Sequence, residues 1–157
     1  GGNSTDDNVT NNDGVSIGSS TLYLDGIKVG DGGQTTGRLN LTVFPTSDFK
    51  FNLALFGADN IFSNINAEDF DEPDGGNAQL PAYKLFDFGA GYNFDLFGNN
   101  AYLRLNINNV FDEEYYPEME NNYLATDDST NYMGINTANR IFPGWGRTWN
   151  VGLTYRF

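Results

Sequence analysis

The most regular pattern of hydrophobic and polar positions lies at the end of the chain, over residues 148–157. Apolar and polar residues alternate there without a break. The apolar positions are Trp149, Val151, Leu153, Tyr155 and Phe157. A period of two predicts a β-strand with one apolar and one polar face. Because aromatic residues stand at both ends of the apolar face, the pattern is typical of a strand that crosses a lipid layer between two aromatic girdles.

Similar alternation recurs in four earlier segments. These are residues 38–44, 49–62, 84–96 and 101–116. Together with 148–157 they predict one antiparallel meander, in which each strand pairs only with its neighbours in sequence. The two outer strands then keep open edges, and unpaired backbone groups cannot face hydrocarbon. We therefore expect the terminal strand to pair with a strand outside these 157 residues.

The lengths of the connections alternate between short and long. The turns at 45–48 and 97–100 are short, whereas the loops at 64–82 and 117–147 are long. Transmembrane barrels place short turns on the periplasmic side and long loops outside the cell. The C-terminus is then periplasmic, and the sequence predicts an all-β, antiparallel segment of a transmembrane β-barrel.

The charged residues of the strands obey the same alternation. Six of them have the parity of the polar face: Arg38, Lys50, Asp87, Asp95, Arg104 and Arg156. Lys84 has the parity of the apolar face, but it lies at the loop end of its strand, where it can reach outer-leaflet phosphates. This distribution favours a strand face that contacts lipid, because a mid-bilayer Arg or Lys costs roughly 2–4 kcal/mol.

Two structural expectations follow from this pattern. Pairing Leu96 with Ala101 would make Asp95 and Arg104 diagonal neighbours on the polar face, so that their side chains are in contact. Ten apolar side chains should be largely exposed where no lipid covers them. They are Phe86, Phe88, Tyr92, Phe94, Leu103, Leu105, Ile107, Val151, Leu153 and Tyr155.

Composition excludes several classes of function. The chain has no Cys and no His, which removes disulfides, thiol or histidine catalysis and zinc sites of the Cys/His type. Its net charge of -13, from 8 Lys+Arg against 21 Asp+Glu, disfavours nucleic acid as a partner. No grouping of nucleophile, base and orienting residue is visible, so we expect no enzyme and no resident cofactor.

The boundaries of the chain also lead to expectations. No apolar run reaches the roughly 20 residues of a transmembrane helix. Gly1 is not a natural start, so we expect the chain to be a piece of a longer protein. Residues 1–20 have the composition of a flexible loop or terminus. Residues 21–157 form the predicted barrel segment.

Aromatic residues of the last long loop are candidate ligand contacts. They are Tyr116, Tyr123, Tyr132 and Trp145. Such rings could stack on a sugar or on a siderophore. Aromatic residues at a barrel rim more often belong to the interfacial girdle, which is the alternative interpretation.

The acidic loop between residues 64 and 82 is a candidate Ca²⁺ site. Its candidate ligands are Asp69, Asp71 and Asp74. Ca²⁺ takes six to eight oxygen ligands. The loop lacks the regular spacing of a dedicated calcium loop, so a solvated loop is the simpler interpretation.

Several segments resemble TonB-dependent outer-membrane receptors. Residues 105–115 are similar to the N-(V/L)-F-D-x-x-Y element of their penultimate strand, and 143–148 to the P-G-x-x-R segment before their last strand. The ending 155–157 is also similar. Residues 83–94 resemble the preceding strand, and 25–31 resemble a D-G-x-x-V-x-D segment of Bacteroidetes-type members. The order and spacing of these motifs extend the resemblance over residues 21–157.

The resemblance implies the last four to five strands of a barrel with about 22 strands and an internal plug. The whole receptor would take up a bulky nutrient, such as a siderophore, a cobalamin or an oligosaccharide. Its partners would be outer-membrane lipid, the remaining barrel and plug, TonB through that plug, and the barrel-assembly machinery, which would read Tyr155 and Phe157 at the terminus. The alternative is a small stand-alone outer-membrane barrel or a surface β-sandwich for binding or adhesion.

Overall fold

The computed structural model describes residues 4–10, 12–30, 32–64, 70 and 76–157. The fold is all-β with antiparallel sheets. No helix among these residues has the length and apolar character needed to cross a membrane. The strands are β1 Ser4–Thr10, β2 Ser16–Leu22, β3 Gly33–Val43, β4 Phe49–Phe62, β5 Gln79–Leu80, β6 Tyr83–Leu96, β7 Asn99–Asn108, β8 Glu118–Glu120, β9 Asn131–Tyr132, β10 Ile135–Asn136, β11 Arg140–Phe142 and β12 Thr148–Tyr155.

The largest sheet has the strand order β12-β7-β6-β4-β3, with the short β5 paired to β4. The long strands therefore form an antiparallel meander in chain order, which confirms that part of the prediction. Val151 lies opposite Leu105, and Leu105 lies opposite Ala90. Because side chains alternate across a strand, this register places apolar residues of neighbouring strands on one face and polar residues on the other.

The two outer strands of this sheet are β3 and β12. Within the described residues, β12 pairs with β7 alone, over Thr148–Asn108 to Tyr155–Ala101. In the part of the chain that the structure describes, β12 does not pair with β3 or with the segment before it. Both outer strands thus keep an edge that pairs with no other described strand, as the sequence predicts. Pairing of β12 with a strand outside this chain stays a prediction.

The apolar face of the sheet is largely uncovered. None of the ten apolar side chains named above is buried. Five of them are exposed, as predicted: Tyr92, Leu103, Val151, Leu153 and Tyr155. The other five are half-buried, and the three rings among them, Phe86, Phe88 and Phe94, each lie against a neighbouring ring. The contacts that involve them include Phe51–Phe88 at 5.9 Å, Phe86–Phe111 at 5.5 Å and Tyr92–Phe94 at 5.7 Å between centroids.

The predicted strand 101–116 is too long, because β7 ends at Asn108. Asn109 and Asp112 have positive φ angles of 51° and 57°, which take the backbone off the extended path. Asn and Asp tolerate this left-handed conformation better than other residues with a side chain. The apolar residues after Asn108 that suggested a continuing strand lie instead in an ordered turn.

The predicted contact between Asp95 and Arg104 is wrong, because the hairpin register differs by two residues. Leu96 pairs with Asn99, which leaves a two-residue turn. Phe97 and Gly98 both have positive φ, 55° and 81°, as the tightest hairpin turns require. Asp95 accepts a hydrogen bond from the Gly98 amide at 2.9 Å, while Arg104 lies opposite Gly91, four residues before Asp95 in β6.

The chain folds into two compact units that alternate along the sequence. The sheet unit comprises residues 35–59, 82–115 and 143–157. The loop unit comprises residues 1–34, 60–81 and 116–142. The division differs from the sequence-based boundary between residues 20 and 21, since each unit is built from three separate stretches of chain.

The loop unit contains short strands where the sequence predicts loops. Residues 1–20, expected to be a flexible loop, include β1 and most of β2, which pair with each other. The expected loop 117–147 contains β8 paired with β11 and, inside that pair, β9 paired with β10. Asn122 cross-links the unit by accepting hydrogen bonds from Ser63 Oγ and the Ala78 amide, both at 2.6 Å. Its buried apolar side chains include Ile61, Phe70, Leu80, Met119 and Ile135.

Candidate functional site

Two sequence motifs meet in the sheet unit where β7 ends and β12 begins. We define this motif junction as residues 109–115 and 143–147. The first stretch contains the N-V-F-D-x-x-Y motif, and the second contains P-G-W-G-R. The two stretches lie far apart in the chain, and hydrogen bonds join them directly.

Asn109 is the centre of the motif junction. Its side chain is only 4% exposed. Its amide group accepts a hydrogen bond from the Glu113 N–H and donates one to the Glu113 carbonyl, both at 2.9 Å. The same Nδ2 donates to the Trp145 carbonyl at 3.3 Å, and the Asn109 backbone N–H donates to Asp87 Oδ1 at 3.0 Å. One side chain therefore closes the turn after β7 and binds the segment that leads into β12.

Asp112 makes the second link of the motif junction. Its Oδ1 accepts a hydrogen bond from the Arg147 backbone N–H at 2.6 Å. The Arg147 guanidinium donates to the Val110 carbonyl at 3.4 Å. These bonds fix the backbone one residue before β12 begins, where Asn108 Nδ2 donates to Thr148 Oγ1 at 3.1 Å.

Gly144 allows a close approach that no other residue could make. Its backbone N–H donates to the Tyr115 carbonyl at 2.8 Å. A Cβ at this position would overlap the Tyr115 ring. That ring in turn lies 4.6 Å from the ring of Tyr83, centroid to centroid. The first glycine of the P-G-W-G-R motif, Gly144, is therefore required by packing against Tyr115.

The motif junction positions the backbone of β12 relative to β7. Its side chains satisfy backbone donors and acceptors, and they hold the first residue of β12 beside the last residue of β7. This sets the register of the terminal strand. Sequence reasoning identified both motifs but missed their contact; the available signal was the pair Asn109 and Asp112, residue types that favour turns and bind nearby backbone groups.

The candidate ligand-binding aromatic residues fall in both units. Tyr116, Tyr123 and Tyr132 belong to the loop unit, and Trp145 belongs to the sheet unit. Tyr116 is buried, whereas the other three are exposed and present ring surface to solvent. Asn139 holds the backbone of Tyr123 by two hydrogen bonds, of 2.9 and 2.7 Å. Ligand contact by these residues stays a prediction.

The proposed assembly signal lies at the open edge of the sheet. Tyr155 is the last residue of β12, and its hydroxyl accepts a hydrogen bond from Asn99 Nδ2 at 3.0 Å. Phe157 is fully exposed, with its ring 6.2 Å from that of Tyr155. Recognition of Tyr155 and Phe157 by the barrel-assembly machinery stays a prediction.

The candidate Ca²⁺ ligands Asp69, Asp71 and Asp74 lie outside the described residues. Within the part of the chain that the structure describes, no group of three or more acidic side chains could hold a metal ion. The calcium hypothesis therefore stays a prediction about the acidic loop.

No family model, no curated protein and no solved structure matches this chain. The resemblance to TonB-dependent receptors therefore stays a prediction from the sequence motifs.

Proposed function

We propose that this chain is part of the wall of an outer-membrane β-barrel of the TonB-dependent receptor type, with the loop unit contributing its extracellular loops. The observation that carries the proposal is the form of the main sheet. It is an antiparallel meander with two open edges, an uncovered apolar face and a charged polar face. A soluble domain would have to bury that apolar face and protect those edges.

Lipid is the covering that best fits the apolar face. Along β12, Trp149, Val151 and Leu153 are 70%, 58% and 60% exposed. Full burial of one Val or Leu side chain stabilises a protein by about 1.5–3 kcal/mol. A bilayer supplies this burial over the whole face, and the aromatic residues at the strand ends match its interfaces.

The open edges favour the interpretation that the chain is a segment of a larger barrel and not a complete barrel. A backbone N–H or C=O without a partner costs several kcal/mol in hydrocarbon. In a membrane, each of these edges would therefore pair with a further strand, from the rest of the barrel or from another copy of the chain. The motif junction fits this role, because it fixes where β12 begins and so the register that β12 presents to its next neighbour.

The alternatives fit the same observations less well. A small stand-alone barrel would pair its first and last strands and would need at least eight. Here β12 and β3 occupy opposite ends of a sheet of five long strands. A β-sandwich would cover the apolar face with a second sheet, whereas β12 leaves its apolar side chains mostly exposed.

Uptake of a bulky nutrient is the activity that this proposal assigns to the whole receptor. The wall segment would contribute no catalytic group to it. Its contribution would be a lipid-facing surface, a luminal polar face, and loops that carry Tyr123 and Tyr132 as exposed aromatic side chains.

Tryptophan quenching by brominated phospholipids tests whether the apolar face contacts lipid. Trp145 and Trp149 are the two tryptophans of the chain. In the variant Trp145→Phe, reconstituted into vesicles, the remaining Trp149 should be strongly quenched by lipids brominated near the interface. A matched control removes both tryptophans and introduces Asn150→Trp, one position along the strand on the polar face; this ring should be quenched weakly.

Equal quenching of Trp149 and of a tryptophan at residue 150 would contradict the proposal, because it would mean that the two faces of β12 see the same surroundings. Absence of quenching at both positions would also contradict it. In that case the sheet would not enter the bilayer, and the binding-module alternative would take its place.

A further inference from the structure

On the polar face of the sheet, cations alternate with glycines in one row across four strands. Lys50 of β4 pairs with Gly91 of β6, Gly91 pairs with Arg104 of β7, and Arg104 pairs with Gly152 of β12. With strands about 4.8 Å apart, the Cα atoms of Lys50 and Arg104 are separated by about 10 Å. No side chain grows from the position between them, which leaves a gap that neighbouring side chains can enter.

Tyr102 extends into this gap from the same face of β7. A Cβ at Gly91 would overlap the Tyr102 hydroxyl and would come within 2.9 Å of Lys50 Cε. The Lys50 ammonium lies 5.5 Å from the centre of the Tyr102 ring, in cation–π geometry. The glycine is therefore needed for Tyr102 and Lys50 to occupy their positions.

A groove of about 300 Å³ lies beside this gap, and its lining includes Gly89. Its lining is polar at most positions and includes Thr42, Lys50, Asn52, Tyr102, Arg104 and Asn106. Thr42 donates a hydrogen bond to Asn52 at 2.7 Å, which holds one wall of the groove across β3 and β4. An adjoining groove includes Lys50, Tyr102 and Arg156 in its lining, so the cationic surface continues towards the end of β12.

Among the residues that the structure describes, no carboxylate forms a salt bridge with the cations of this groove. Among the described residues, the observed salt bridge joins Arg140 and Glu120, which both belong to the loop unit. The two carboxylates of the polar face are bound to backbone N–H groups: Asp87 to that of Asn109 and Asp95 to that of Gly98. Although the net charge of the chain is -13, Lys50 and Arg104 are thus exposed on this face without a salt bridge to any described residue.

We propose that the groove lined by Lys50, Tyr102 and Arg104 is a binding site for a small solute that carries at least two carboxylate or phosphate groups. Arg104 offers a planar fork that matches either oxyanion, Lys50 offers a point charge, and the Tyr102 hydroxyl offers a hydrogen bond between them. Two cations about 10 Å apart at their Cα atoms suit a ligand with two separated anionic groups better than a single small anion. The site is built by the sheet unit alone; its use in uptake, as a luminal contact for anionic solutes, rests on the proposed function.

Calorimetric titration of the full chain in a non-ionic detergent tests the site without requiring a bilayer. Citrate and inorganic pyrophosphate serve as probes, because they separate carboxylate from phosphate ligands. We expect saturable 1:1 binding of at least one of them. Lys50→Gln and Arg104→Gln should each weaken that binding by about tenfold, since each removes one charge-assisted contact.

Lys84→Gln is the matched control, because it removes the same charge from the opposite face of the same sheet. Affinity should then change by less than about twofold, as for a distant exposed charge. Gly91→Ala is the second test, because it displaces Tyr102 and Lys50 without changing the net charge; it should also weaken binding by about tenfold. Near-ultraviolet spectra of Trp145 and Trp149 check that each variant is folded like the parent chain.

Three results would overturn the proposal. The first is absence of saturable binding of either anion. The second is an equal loss with Lys84→Gln, which would reduce the effect to overall Coulomb attraction. The third is an unchanged affinity in folded Gly91→Ala. None of these results bears on lipid contact, which the quenching experiment measures separately.

Discussion

Replacing Asn109 should destabilise the sheet unit more than any replacement of an exposed asparagine in it. Asn109→Ala removes three side-chain hydrogen bonds, two to Glu113 and one to the Trp145 carbonyl. It also places an alanine at a φ of 51°, which asparagine tolerates better. Both effects act where β7 and the segment before β12 are joined.

The magnitude follows from these contacts. Three hydrogen bonds at about 1 kcal/mol net each contribute about 3 kcal/mol. The left-handed backbone adds about 1 kcal/mol for a residue with a Cβ and no compensating side-chain bond. Because Glu113 is exposed, water recovers part of the hydrogen bonding. We therefore expect a loss of about 3 kcal/mol for Asn109→Ala and about 2 kcal/mol for Asn109→Gly, which keeps the backbone conformation unstrained.

Urea unfolding in detergent micelles, followed by tryptophan fluorescence, measures this loss. Trp145 reports on the motif junction itself, because its carbonyl accepts the Asn109 bond. The matched control is Asn108→Ala, which removes one exposed hydrogen bond to Thr148 and should cost no more than about 1 kcal/mol. If Asn109→Ala and Asn108→Ala lose the same stability, the motif junction does not hold the terminal strand as described.

Two further substitutions test the geometry of the sheet unit. Phe97→Asn should stabilise the hairpin by about 0.5–1 kcal/mol in the same unfolding assay, because Phe97 is 90% exposed at a positive φ that asparagine prefers; a loss of stability would show that the ring itself is needed. Gly144→Ala should cost about 1–3 kcal/mol through overlap with Tyr115, whereas Gly152→Ala, with open space around its Cβ position, should cost almost nothing. Equal effects of the two glycine substitutions would refute the packing argument.

The alternation of residues predicts much of the main sheet. The five long strands, their order and their open edges follow from a period of two and from short connections between neighbours. The prediction succeeds because a sheet with one apolar and one polar face requires apolar and polar residues to alternate along each strand. The charges of the polar face are placed correctly for the same reason.

Register and strand ends could not be predicted from that alternation. A shift of two residues keeps every side chain on its face, so the pattern cannot distinguish Leu96–Ala101 from the observed Leu96–Asn99 pairing. The difference comes from the φ angles of Phe97 and Gly98. The end of β7 at Asn108 is likewise set by the hydrogen bonds of Asn109, which involve a segment distant in sequence.

The candidate sites were less predictable than the fold. The motifs identified Asn109, Asp112 and Gly144 by resemblance, but their contacts depend on tertiary structure. The anionic-ligand groove was invisible in the sequence, because it requires Lys50, Gly91 and Arg104 to share one row across three strands.

Accessibility of nitroxide spin labels along β12 tests the central claim most directly. Since the chain contains no native cysteine, single cysteines at successive positions from 150 to 154 can each be labelled without further changes. In vesicles, labels at 151 and 153 should collide preferentially with oxygen dissolved in the lipid, and labels at 150, 152 and 154 with a water-soluble nickel complex. This period of two, with lipid on one face and water on the other, is the result expected for a barrel wall. Low accessibility of 151 and 153 to both reagents would contradict it, because those side chains would then be buried against another layer of protein.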